Sequence, residues 1–120
     1  MDKTDAFDSG LIVSQEVNDE WAIVHVTGPL TFPDAVTLTG VVASVLEQPP
    51  VVLLLDLTSV GEVDATGVAV LVGVGRDLKD AGKQVRVIVS DSRVRNRLPY
   101  TLGLRKVFTS IDEAIHFTPG

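Results

Sequence analysis

The chain contains no cysteine in 120 residues, which excludes disulfides, thiolate metal sites and cysteine nucleophiles. Aromatic residues are scarce at 5%, so valine, leucine and isoleucine must fill the core. There are two histidines, His25 and His116; they fall in a predicted strand and in the last predicted helix, and no Ser-His-Asp set is indicated. Gly61, Gly67, Gly73 and Gly75 lack the spacing, and the lysine, of a phosphate-binding loop or a dinucleotide fingerprint. No stretch approaches the roughly 18 uninterrupted apolar residues of a membrane span. The opening MDKTDAFDSG is acidic, with no apolar signal core. The expected location is therefore cytoplasmic, without membrane contact. Ten basic against sixteen acidic residues give a net charge of -6, which argues against nucleic-acid binding, since phosphates are neutralised by Lys and Arg. Arg93, Arg95 and Arg97, followed by Arg105 and Lys106, read as a solvated helix face.

What is present is an ordinary globular composition, 45% apolar and 22% charged, and a length suited to one domain. The chain is organised around residues 51–82, VVLLLDLTSVGEVDATGVAVLVGVGRDLKDAG. The run from Val51 to Leu55 is apolar at every position, as expected of a strand buried on both faces between parallel neighbours. The strand reads as ending at Asp56, with an exposed turn from there to Gly67. Asp64 is a good N-cap and Lys79 to Gly82 a good helix exit, so a helix is expected between them. Val68 to Gly75 is rich in β-branched residues and glycine, which lower helix propensity and also permit a strand. The alternation of elements along the chain favours the helix, whose first two turns are then apolar nearly all round.

Around this centre, residues 11–17 and 21–27 are two extended segments joined by the short turn Asn18-Asp19-Glu20, an expected antiparallel hairpin. In the second segment Ala22, Val24 and Val26 form an apolar face and Trp21, Ile23, His25 and Thr27 a mixed one, which makes His25 a surface or edge residue. Gly28-Pro29-Leu30-Thr31 breaks the strand. A helix is expected from about Pro33, with Leu38, Val41, Val42, Val45 and Leu46 as its buried stripe and Pro49-Pro50 as its stop. Residues 85–89 form a further strand. Asp91 or Ser92 caps a helix through Val94, Leu98 and Leu102 that Pro99 shortens or kinks. Val107-Phe108 is a short strand, and Ser110 with Glu113 has capping-box spacing for a last helix with Ile111, Ala114 and Ile115 inward. The order is β-β-α-β-α-β-α-β-α: an α/β domain over residues 11–117, with a mixed four- to five-stranded sheet, about four helices, and a flexible tail over residues 1–10.

The chemistry legible in the turn is slight. Asp56, Glu62 and Asp64 form an acidic group, but a hard cation wants several more oxygen ligands in a formed cage. No metal, no cofactor and no enzymatic activity are expected.

Asp56-Leu57-Thr58-Ser59-Val60 followed by Val63-Asp64-Ala65-Thr66-Gly67 resembles the STAS domain family, which comprises bacterial anti-sigma factor antagonists and the cytoplasmic tails of sulphate transporters. The resemblance runs from about Leu11 to Phe117 and takes in Gly28-Pro29-Leu30-Thr31 and the closing run Leu102-Gly103-Leu104-Arg105-Lys106-Val107-Phe108. The length and the lack of a membrane segment suit a free-standing antagonist. The resemblance implies a protein-binding switch: such a domain binds an anti-sigma factor of the histidine-kinase-like ATPase type and so releases a sigma factor. The kinase phosphorylates a serine at the start of the second helix. In this chain that position is Ala65, which cannot be phosphorylated. Thr66 is the one hydroxyl in the tetrapeptide, and at about 100° per residue it points elsewhere on the helix. Glu62 replaces the usual aromatic, and Gly61 stands where Ser or Thr is common.

The implied partner surface is Thr58, Ser59, Gly61, Glu62, Asp64, Ala65, Thr66, Gly67 and Val68, with residues 30–34 beside it and Asp64 as helix cap. Two readings of the switch follow, one in which binding is constitutive and one in which Thr66 is the acceptor. A homodimer through the apolar helix start is another use of the same face. The rival function is a STAS-type module sensing a nucleotide or lipid, or a signalling scaffold.

Overall fold

The computed structural model describes residues 10–103 and 107–118. Nine of the ten expected tail residues, and residues 104–106 of the closing run, lie outside them. At the centre is β3 (Val52–Ser59), an apolar strand with parallel neighbours on both sides, β2 (Trp21–Thr27) and β4 (Gln84–Ile88). Strand β1 (Ile12–Val17) pairs antiparallel with β2 as a hairpin, and the short β5 (Val107–Phe108) adds parallel to β4. The mixed sheet has five strands in the order β1-β2-β3-β4-β5.

Four α-helices are present among the described residues: α1 (Thr37–Leu46), α2 (Ala65–Asp80), α3 (Ser92–Arg95) and α4 (Ile111–His116). Because the parallel strands advance in one direction, right-handed crossovers place their connecting helices on one face. There Leu38, Val42 and Val45 of α1, Leu71, Val74 and Leu78 of α2 and Val94 of α3 meet Leu53, Leu55 and Leu57 of β3 in the main core. Helix α4 covers part of the other face, where Ala114 joins Ile23, Leu54, Ile88 and Phe108 in a second cluster. Each leucine of β3 so enclosed contributes about 1.5–3 kcal/mol.

The structure departs from the sequence expectation in local ways. Strand β3 runs three residues beyond Asp56, and Leu57, Val60 and Val63 are buried, so the turn expected to be exposed throughout is pinned by apolar anchors. The mixed face of β2 is half core, because Ile23 is buried beneath α4. Pro33 opens not an α-helix but a 3-10 turn, Asp34–Val36, and α1 begins at Thr37. Pro99 has the effect expected: α3 stops after one turn and a 3-10 turn, Tyr100–Leu102, carries Leu102 into the core. Ser110 caps α4 by accepting from the Glu113 amide, while the Glu113 carboxylate reaches back to the Thr109 amide, one residue before the expected capping-box partner.

Candidate docking surface

The site is assembled by two loops that the sheet brings side by side, residues 28–33 after β2 and residues 60–64 after β3. They are joined by backbone. The Leu30 amide donates to the Glu62 carbonyl at 2.9 Å and the Asp64 amide to the Leu30 carbonyl at 3.4 Å, with Leu30 and Val63 paired in a parallel bridge. The Asp64 side chain adds two further ties. One oxygen accepts from the Gly67 amide at 2.8 Å, capping α2, and the other accepts from the Phe32 amide at 2.9 Å. These backbone donors, Phe32 first and Gly67 second, hold the Asp64 carboxyl below its ordinary range, so it is ionised across the neutral range.

Gly67 explains how close the loops come. A Cβ there would lie 2.0 Å from the Leu30 carbonyl oxygen, so only glycine lets α2 start directly beneath the first loop. Gly67 is thereby buried. Around it Thr58, Ser59, Gly61, Glu62 and Ala65 are exposed, while Asp64, Thr66 and Val68 are half-buried. Beside them Phe32 is 73% exposed and Val36 59% exposed. Phe32 lies on the loop that Asp64 fastens, and Val36 on the 3-10 turn that follows it.

On the other flank, α3 faces the start of α2 across two open hollows that share Arg97. One, of about 440 Å³, is lined by Gly61, Glu62, Val63, Arg93, Val94 and Arg97. The second, of about 330 Å³, is lined by Ala65, Val68, Asn96 and Arg97. Arg93 is turned to the Asp91 carboxylate at 2.9 Å. Thus Ala65 presents a methyl group beside a basic helix edge. The three arginines of α3 and its exit are exposed, as a solvated face requires.

Two residues depart from their expected roles. Asp56 is not part of an open acidic turn; it is buried, with one oxygen accepting from the Thr58 amide and hydroxyl and the other 2.8 Å from His25 Nδ1. His25 is not a free edge residue, because its Nε2 lies 2.6 Å from Glu16 Oε2. No sequence signal pointed to this set. The strand register, which pairs His25 with Asp56 across β2 and β3, creates it. Among the described residues no group of His, Asp and Glu side chains is arranged to hold a metal ion, and no helix is long and apolar enough to cross a membrane.

This sheet order and this pair of joined loops define a small α/β domain, and comparison with known proteins gives its family. The STAS domain family model matches residues 13–116, and the chain belongs to that family. It is similar in fold to an anti-sigma factor antagonist from Mycobacterium paratuberculosis (22% identity, 89% of this chain and 92% of that one, TM-score 0.72). It also resembles the anti-sigma factor antagonist SpoIIAA in its unphosphorylated form (17% identity, 87% and 93% coverage, TM-score 0.69). A sulfate transporter family protein from Wolinella succinogenes shares 31% identity over 82% of this chain and 84% of that one, with a TM-score of 0.67. No curated protein matches the sequence.

Proposed function

We propose that this STAS domain is a cytoplasmic, non-enzymatic regulator of the anti-sigma factor antagonist type. It binds a kinase-type anti-sigma factor through residues 58–68 and the Phe32 loop, and so frees a sigma factor for transcription. The observation that carries the reading is the Asp64 carboxylate, which ties the Phe32 backbone to the start of α2 and keeps the docking face formed although Ala65 occupies the usual acceptor position.

The alanine sets the regulation. A phosphate at the start of α2 adds about -2 charge. Against one like charge about 6 Å away, at an effective dielectric near 20, a dianion costs a few kcal/mol, which lowers affinity by roughly two powers of ten or more. Ala65 cannot receive that charge, so binding is constitutive. Thr66, half-buried one residue on, is the alternative acceptor. Incubation with a cognate kinase and ATP, followed by phosphosite mapping, decides between them: the constitutive reading predicts no phosphate on the wild type and phosphate on Ala65→Ser. Phosphate on Thr66, abolished by Thr66→Val, contradicts it.

The sulfate transporter family relative leaves room for a second reading, a STAS module that senses a nucleotide or lipid or acts as a scaffold. Saturable protection against thermal unfolding by a nucleotide or lipid, with no binding to any kinase-type anti-sigma factor, selects that reading.

A further inference from the structure

Glu16, His25 and Asp56 come from β1, β2 and β3, with the imidazole in the middle; His25 is level with Asp56, while Glu16 reaches it diagonally from beside Ile23. Both of its ring nitrogens face carboxylate oxygens, at 2.6 Å and 2.8 Å. A neutral imidazole has one N–H to donate and one lone pair. Its unprotonated nitrogen would point that lone pair at a carboxylate oxygen within hydrogen-bond distance. The arrangement is satisfied at both ends by the imidazolium alone, with each carboxylate ionised.

The two arms differ. Asp56 is 8% exposed and is held by the Thr58 amide and hydroxyl. The Glu16 side chain is 61% exposed on the edge strand and, among the described residues, has no other polar partner. When His25 loses one proton, the remaining N–H stays with Asp56 and Glu16 is the group that leaves.

We propose that Glu16, His25 and Asp56 form a protonation-dependent clamp, which fastens the edge strand β1 to the sheet while His25 is charged and releases it when His25 is neutral. The other neighbours do not substitute for it. Strand β4 places Ile88 beside Asp56; its Arg86 is bound to the Ala114 carbonyl. On α4, Glu113 is engaged by Thr109 and His116 by Asp112. Among the described residues, Glu16 and Asp56 are the ionisable groups that face His25.

The sign follows from the two partners. Burial pulls the His25 pKa down, but hydrogen bonds to Asp56 and Glu16, with their charges, outweigh it and raise the value above 6.5. The clamp is therefore fully formed below the unfolded-state value and is lost as pH rises through the higher folded-state value. Each tenfold strengthening of proton binding by the clamp appears as a tenfold fall in the ratio of closed to open clamp once pH has risen above the folded-state value.

The test is nitrogen-detected NMR titration of His25 in the intact chain, with amide-exchange protection factors for β1 measured over the same pH range. We expect both ring nitrogens protonated at pH 6, a midpoint above 6.5, and falling protection in β1 across that midpoint while β3 stays protected. In Glu16→Gln the amide can accept from the imidazolium or donate to the neutral ring, so the midpoint drops and β1 protection becomes nearly independent of pH. A His25 midpoint at or below 6.5, or the same β1 pH dependence in the wild type and Glu16→Gln, overturns the proposal. Neither measurement needs a partner protein, so the outcome is independent of the regulatory function.

Discussion

At Asp64 one carboxylate serves two elements, the first turn of α2 and the loop that carries Phe32. Substitution separates the two duties. Asparagine is a competent N-cap, but its amide nitrogen cannot accept from the Phe32 amide. Asp64→Asn is therefore expected to keep most of the thermal stability and to lose partner affinity. Asp64→Ala is expected to lose both, and thermal unfolding beside a binding titration reads the difference. Half of this was legible in advance. Capping is local, and an aspartate ahead of an apolar run announces it. The bond to Phe32 spans 32 residues and depends on how two loops meet. The same reason hid His25, whose partner Asp56 lies 31 positions along the chain and becomes its neighbour only through strand register. Asp56 was misplaced for a second reason: a charged residue at the end of an apolar run looks like a strand terminus, whereas here its charge is matched inside the sheet.

Helix α2 shows how the site depends on an element. Its sequence, rich in valine and glycine, permits a strand by alternation. The helix wins because Leu71, Val74 and Leu78 then form one buried stripe against the sheet. Its glycines are not equivalent. A Cβ at Gly67 meets the Leu30 carbonyl oxygen at 2.0 Å, and one at Gly75 meets the Thr101 carbonyl oxygen at 2.5 Å, whereas one at Gly73 meets nothing within 4 Å. Gly67→Ala is expected to push the loops apart and to destabilise the fold by about 1–3 kcal/mol, the usual range for overpacking. Gly73→Ala, two turns along the same helix, is expected to be neutral or to stabilise by up to about 1 kcal/mol, because alanine restricts the unfolded chain and suits the helix. Equilibrium urea unfolding of the two variants checks the contrast. Equal effects would mean that helix propensity, and not the approach of α2 to the loop, determines the glycines.

In the molecule as a whole, the described residues leave the sheet with one heavily covered face and one covered by a single short helix. Apolar patterning made the order of elements readable, because parallel strands between helices give continuous apolar runs. It did not reveal that Ile23 joins Leu54 in a second, smaller core, since Ile23 lies on the face of β2 that also carries Trp21, His25 and Thr27 and so read as mixed. Leu55→Ala, in the main core where Leu55 is fully buried, is expected to cost about 2–5 kcal/mol, measured by the same urea unfolding. The proposed function turns on binding that phosphorylation does not interrupt, because Ala65 stands where the resemblance places the acceptor. The most direct test is calorimetric titration of a kinase-type anti-sigma factor with this domain, before and after incubation with that kinase and ATP, using the wild type and Ala65→Ser. Saturable binding by both proteins is expected before incubation; afterwards the wild type is unchanged and Ala65→Ser is weakened by roughly two powers of ten or more. Failure of the wild type to bind any such factor, or loss of its affinity after ATP treatment, would contradict the proposed function.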